Sequence, residues 1–114
     1  MKTLQELQPY CKKTFRFEDI VSIEAIENYS KLTQKDGRFF IFARTLGNYE
    51  NNLGLPFLRI NRSFLVNIQL LPAKIFIENN KIKFEDGSEL IISRRRLEKV
   101  TKTLDSFKFN MPEL

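Results

Sequence analysis

The sequence predicts a mainly β domain with short α-helices, an α+β fold of elongated antiparallel sheets. Three observations lead there. Apolar and polar residues alternate with a period of two through Phe15–Glu18, Val21–Ala25, Ile82–Glu85 and Leu90–Ile92. The pairs Asp36-Gly37, Asn79-Asn80 and Asp86-Gly87 separate such runs, and tight turns of this kind join antiparallel neighbours. Helical spacing is clear only twice, in Leu46, Tyr49 and Leu53 and in Leu97, Val100 and Leu104, so one short central helix and one C-terminal helix are expected.

Taken in order, residues 1–14 read as a leader, in which Leu4 and Leu7 allow a helical turn that Pro9 ends. Strand character runs from Thr14 to Ile26. A hairpin follows, with Leu32 in one arm and Phe39–Ala43 in the other, and Asp36-Gly37 suits a type I′ turn between them. The run FFIFA is continuous, so it is either covered on both faces or set with one face against a partner. Thr45 is the N-cap of the short helix, Gly54 terminates it and Pro56 bars its continuation. Phe57–Ile60 is extended, and Asn61-Arg62-Ser63 turns the chain into Phe64-Leu65-Val66. Beyond Pro72, Ile75 and Ile77 open a second hairpin region. Ser93 then reads as the N-cap of the last helix. The domain is expected over residues 15–104, with a C-terminal tail over 105–114 that frays from Phe107 to Leu114.

Composition limits function. The 114 residues amount to one domain, and 42% hydrophobic with 29% charged residues is the balance of a folded globular chain. No apolar run is long enough to span a bilayer, and the opening residues lack the apolar stretch of a signal peptide, so a cytoplasmic protein away from the membrane is expected. Cys11 is the sole cysteine, which rules out an intrachain disulfide and fits a reducing compartment. There is no histidine, which removes the usual general base and the commonest metal ligand. Neither a GxGxxG nor a GxxxxGK[ST] loop is present. The expectation is a protein with no catalysis, cofactor, metal or small-molecule substrate. The net charge of +5 favours an anionic partner.

Three basic loci stand out. Arg94-Arg95-Arg96 follows Ser93 directly, where the positive end of a helix disfavours cations by a few tenths to about 1 kcal/mol each. Arginines there make sense if an external anion joins them. The competing reading is a solvated face paired to glutamates such as Glu98. Arg59 and Arg62 lie in LRINRSFLVN, where Arg can take a guanine edge and Asn an adenine edge. In a plain turn network, Asn61, Ser63 and Asn67 would instead bond nearby backbone; this reading is preferred for Asn67, and the functional one for Arg62. Asn28-Tyr29-Ser30-Lys31 forms a third, weaker locus on an expected loop at a sheet edge. The eleven phenylalanines suggest base stacking, but Phe15, Phe17, Phe40, Phe42 and Phe84 fall where a core without Trp needs volume.

The segments IVSIEAIENYSKL, DGRFFIFARTL, FLRINRSFLVN and DGSELIISRRRLEKV, in that order, resemble LytTR DNA-binding domains over about Phe15–Leu104. That family shows an Arg-x-His-Arg-Ser-aromatic-x-Val-Asn stretch and then a Ser-Arg-Arg stretch opening the last helix. The resemblance implies loops inserted into successive major grooves of double-stranded DNA, often by two copies on a repeated site. It implies contacts from Asn28, Tyr29, Ser30 and Lys31, from Asn61 and Arg62, and from Ser93, Arg94 and Arg95. Arg44 and Arg59 join Lys31 and Arg94 as expected phosphate contacts, and Arg62 and Arg95 lead as base readers. Asn61 replaces the family histidine and cannot become cationic, which bears on the preferred base sequence. Such domains often follow a receiver domain in bacterial response regulators; this chain has no room for one and resembles a stand-alone or isolated DNA-binding part. Two other readings stay open. One is a protein-interaction module that has lost DNA binding, and the other is a single-strand or RNA binder.

Overall fold

A computed structural model describes residues 2–8, 11–72 and 74–110. Three antiparallel sheets make up most of it. β1 (Thr3–Gln8) and β2 (Cys11–Arg16) form a two-stranded ribbon. β3 (Ile20–Ile26), β4 (Tyr29–Gln34), β5 (Phe39–Phe42), β6 (Phe57–Arg59) and β7 (Phe64–Asn67) form a five-stranded sheet in the order β5-β4-β3-β7-β6. β8 (Ile75–Glu78), β9 (Lys81–Phe84) and β10 (Glu89–Ile91) form a third sheet with β9 central. Helix α1 (Leu46–Leu53) links β5 to β6, and α2 (Leu97–Asn110) follows a 3-10 turn at Arg94–Arg96. The molecule measures 42 by 31 by 26 Å, in keeping with the elongated β architecture expected from sequence.

Two apolar cores flank the strands β6 and β7. The first gathers Phe15, Ile20, Ile23, Leu32, Phe42, Phe57 and Leu65 under Leu46 and Tyr49 of α1. The second gathers Leu58, Ile60, Val66 and Ile68 with Ile75, Ile82 and Ile92 of the third sheet and Val100 and Leu104 of α2. Side chains alternate along a strand, so Phe57 and Leu65 enter one core while Leu58 and Val66 enter the other. This double burial explains why both segments are apolar without alternation. Elsewhere the pattern is one-sided. A bulge between Ile20 and Ser22 turns Ile20 inward along with Ile23 and leaves Val21 half-buried on the other side. In β5, Phe40 packs on the first core and Phe42 within it, while Phe39 and Ile41 remain 57% and 49% exposed. Of the two expectations for FFIFA, coverage on both faces is therefore not met within the chain.

The expected cap of α1 is present. Thr45 Oγ1 accepts a hydrogen bond from Asn48 N at 3.2 Å, and Gly54 ends the helix at φ +64°. Other local expectations are corrected. Leu4 and Leu7 lie in strand β1, not in a helical turn, because β2 offers the whole segment antiparallel partners from Thr3↔Arg16 to Gln8↔Cys11. A single helical turn would pay the nucleation cost for almost no internal bonds. Pro9 is outside the described residues. The Asp-Gly turns are not type I′. Gly37 and Gly87 have φ near +90° but Asp36 and Asp86 do not have positive φ. Each turn is a three-residue loop in which the Gly amide bonds the carbonyl of Gln34 or Phe84, and Asp36 and Asp86 accept from the amides of Arg38 and Ser88. At the C-terminal end, α2 stays helical through Asn110, past the expected frayed start, and Phe107 packs on the second core. Residues 111–114 lie outside the described residues.

Asn67, 1% exposed, ties β7 to the start of β3: its Nδ2 donates to the carbonyls of Phe17 and Ile20 at 3.0 and 2.9 Å, and its Oδ1 accepts from Gln69 N. Asn67→Ala orphans two carbonyls and should lower unfolding stability by about 1–3 kcal/mol, read from urea denaturation. A loss within experimental error would show that these bonds contribute little.

Candidate nucleic-acid interface

Strand polarity brings the basic loci to one end of the five-stranded sheet. β3 ends at Ile26 opposite Tyr29, where β4 begins; β7 begins with Phe64 opposite Glu24; β6 ends with Arg59 opposite Leu65; and β5 ends with Phe42 opposite Ser30. The β3–β4 turn, the β6–β7 turn and the entry to α1 therefore share an edge. Backbone hydrogen bonds join them further, with Ala25 N bonding Ser63 O at 2.8 Å and Ser93 N bonding Ile60 O at 2.9 Å. The second of these brings the Arg94–Arg96 turn against the β6–β7 turn. Three loci far apart in sequence thus form one surface.

Within that surface the candidates divide. Arg62, Arg94 and Arg95 are exposed and make no ion pair among the described residues. Cations elsewhere are mostly paired: Lys35 with Asp19, Arg38 with Asp36, Lys81 with Glu89, Lys83 with Glu78 and Lys102 with Glu98. Asn28 and Tyr29 are exposed. Lys31 lies along β4 with its ammonium 4.5 Å from the centre of the Phe39 ring. Arg44 donates to Asn48 Oδ1 at 3.0 Å.

Three candidates are turned inward by their own bonds, and a fourth, Ser93, is covered without one. Ser30 is fully buried and donates to the carbonyl of Arg44; Tyr29–Lys31 belongs to strand β4 and not to a loop. Asn61 donates to Ile91 O at 2.6 Å, while its Oδ1 accepts from Ser63 N and Phe64 N, so its side chain builds the turn. Arg59, with only 15% of its side chain exposed, donates to Glu50 and to the carbonyls of Asn61 and Arg62. Ser93 makes no side-chain cap, because Arg94–Arg96 winds as a 3-10 turn before α2, and its buried Oγ has no partner among the described residues. As placed, Ser30 is buried, while Arg59, Asn61 and the backbone of Ser93 are only partly exposed, with the polar atoms of Arg59 and Asn61 engaged within the chain.

Glu50 is the residue that sequence reasoning missed. Its carboxylate binds Arg59 Nη1 at 3.0 Å through one oxygen and Arg96 Nη1 at 2.8 Å through the other. Glu98, named as a partner in the competing reading of this arginine run, binds Lys102 instead. Glu50 is the sole acid of α1, which could have marked it, but its partners lie 9 and 46 residues away, beyond the reach of local pattern. Partial burial pushes the Glu50 carboxyl up, and hydrogen bonds from Arg59 and Arg96 outweigh it, so the group sits below the ordinary glutamate value. Of the phenylalanines read as core, Phe15 and Phe42 are buried in the first core, while Phe17, Phe40 and Phe84 are partly buried and pack against the cores. Phe15 meets Phe40 and Phe42 edge to face, and Phe17 meets Phe57. Among the described residues no cluster of His, Cys, Asp and Glu is placed to hold a metal, and no helix is long and apolar enough to cross a membrane.

A family model described as the LytTr DNA-binding domain matches residues 12–105. The chain belongs to the LytTr DNA-binding domain family. It is similar in structure to a LytTr DNA-binding domain from a Bacillus cereus response regulator, with a TM-score of 0.67 over 94% of this chain and 99% of that one, at 16% identity. At that identity the likeness speaks to the fold. No curated protein matches the sequence. The LytTr assignment matches the resemblance carried by the four sequence segments.

The Glu50 bridge also gives this LytTr domain a pH signature. A carboxyl whose pKa is depressed on folding stabilises the fold above its unfolded value, about 4.3, and loses that contribution as pH falls through the lower folded value. The decline in urea midpoint below about pH 4.3 should be shallower in Glu50→Gln than in the parent. Parallel acid limbs in the two proteins would show that the bridge does not couple to folding.

Proposed function

We propose that the chain binds double-stranded DNA with sequence preference, as the DNA-reading part of a bacterial transcriptional regulator, with the turns at one end of its main sheet set into successive major grooves. One observation carries this reading. Segments from three parts of the chain meet at a single edge, and the exposed arginines there, Arg62, Arg94 and Arg95, are left without a carboxylate among the described residues. Arg62 and Arg95 act as base readers, since a guanidinium fits the O6 and N7 of guanine with two bonds. Lys31 and Arg94, with Asn28 and Tyr29 on the adjoining strand end, fix the register on phosphate and sugar. Arg44, already held by Asn48, stands at the margin of this surface. Two copies on a repeated site would read successive turns of the duplex.

A second reading has one observation in its favour. Ile26, Tyr29, Phe39 and Ile41 leave an exposed apolar face on β3–β5, which would suit a protein partner on the same scaffold. Salt separates the two. Binding to random duplex DNA should fall steeply from 50 to 200 mM salt if phosphate is the partner. Weak binding that ignores salt would favour the protein-interaction role.

The residue roles are tested on a duplex enriched from a random pool by the purified protein. Arg95→Ala should cost about 1–3 kcal/mol and relax preference at one position. Lys31→Ala should weaken all duplexes alike and make the salt slope shallower by about one unit. Unchanged affinity and preference in Arg95→Ala would remove that residue from the reading set.

A further inference from the structure

The three arginines that open α2 do not share one task. Arg94 and Arg95 point to solvent, while Arg96 has only 18% of its side chain exposed and reaches the carboxylate of Glu50 at 2.8 Å. Successive residues of a tight helical turn differ by roughly 100–120° in direction, so a run of three cannot present one face. The other oxygen of Glu50 takes Arg59, and Arg59 then spends its remaining edges on the carbonyls of Asn61 and Arg62 at 3.1 and 3.0 Å. One carboxylate on α1 therefore grips the two segments that carry the unpaired arginines. Helix α1 is itself fixed by Leu46 and Tyr49 in the first core.

We infer that Glu50 is the positioning residue of the DNA face, holding the Arg62 turn and the Arg94–Arg96 turn at a fixed spacing and withdrawing Arg59 and Arg96 from the cations that meet phosphate. This rests on the DNA-binding reading. Sequence discrimination needs guanidinium groups held at set positions against base edges, whereas attraction to phosphate needs only charge. A bridge that immobilises two arginines while leaving three exposed lowers indiscriminate attraction and sharpens the geometry of the rest. The bridge groups are largely shielded from water, so they are not an exposed pair of negligible worth, and deleting the carboxylate leaves two guanidinium groups without their counter-charge.

The test compares the parent protein, Glu50→Gln and Arg59→Lys on an enriched duplex and on a random duplex across a salt series, with circular dichroism as the check on folding. Glu50→Gln should lose tenfold or more in the ratio of enriched to random affinity. Its salt slope on random DNA should steepen by about one to two units as the released cations reach phosphate. Destabilisation alone would weaken both duplexes by the same factor and leave the slope unchanged. Arg59→Lys retains the charge beside Glu50 but cannot span both loop carbonyls; it should lose the ratio with little change in slope, and it decides the matter if Glu50→Gln does not fold. A folded Glu50→Gln protein with the parent's ratio and slope, or an Arg59→Lys protein with the parent's ratio, overturns the inference while leaving the DNA reading standing. A parent protein with no salt-dependent duplex binding overturns both.

Discussion

Strands β6 and β7 are apolar on both faces, and the need to bury both faces organises the whole molecule. Leu65 and Phe57 require the first core and α1; Val66 and Leu58 require the third sheet and α2. Full burial of a side chain of this size stabilises by about 1.5–3 kcal/mol, so leaving either face open would cost more than most small domains can spare. The two cores are thus locked to a common pair of strands. The turn between those strands, Ile60–Phe64, inherits that rigidity from both sides. A turn anchored in this way is a good place for side chains that must hold a fixed position, and it carries Arg62.

Electrostatics acts on top of this frame by sorting cations. On the third sheet, lysines face glutamates across neighbouring strands, and such exposed pairs contribute little beyond solubility. At the end of the main sheet cations outnumber carboxylates: Glu24, Glu27 and Glu50 stand among Lys31, Arg44, Arg59, Arg62 and Arg94–Arg96, and Glu24 and Glu27 make no ion pair among the described residues. Glu50 is taken by Arg59 and Arg96, which leaves Arg62, Arg94 and Arg95 to solvent. Net charge alone, at +5, would not locate an interface. The local imbalance marks the candidate surface.

Much of the architecture was legible because it rests on near-neighbour rules. Alternation located most of the strands, Thr45 and Gly54 bounded α1, and the stripe of Leu97, Val100 and Leu104 placed α2. What escaped depends on distant contacts. The leader reading of Leu4 and Leu7 failed because β2 supplies the partners of β1. Asn61 does bond its own turn, in keeping with one of its two readings, but its further bond to a carbonyl 30 residues away has no local signal, and Ser93, expected to cap α2, makes no cap because its turn winds as 3-10. Arg59 and Arg62 are three residues apart in one basic motif. Only the fold reveals that the first is a strut and the second is exposed.

The same end of the sheet also carries departures from what stability alone would choose. Glu27, in the β3–β4 turn, holds φ at +52°, a left-handed conformation that costs a non-glycine residue about 1–2 kcal/mol. Ser93 Oγ is buried without a partner among the described residues. Arg94 and Arg95 stand just ahead of α2, where its amides disfavour positive charge. Each departure is small, and each has a cheaper replacement among ordinary residues. Comparable departures occur elsewhere, in Asn79 at φ +58° and in the buried Oε1 of Gln34, unpartnered among the described residues, so the feature particular to this edge is the placement of the arginines, a local cost of the kind retained where binding compensates it. An anion seated against the turn would reverse the sign of the charge penalty, since the amides and both guanidinium groups would then attract it together.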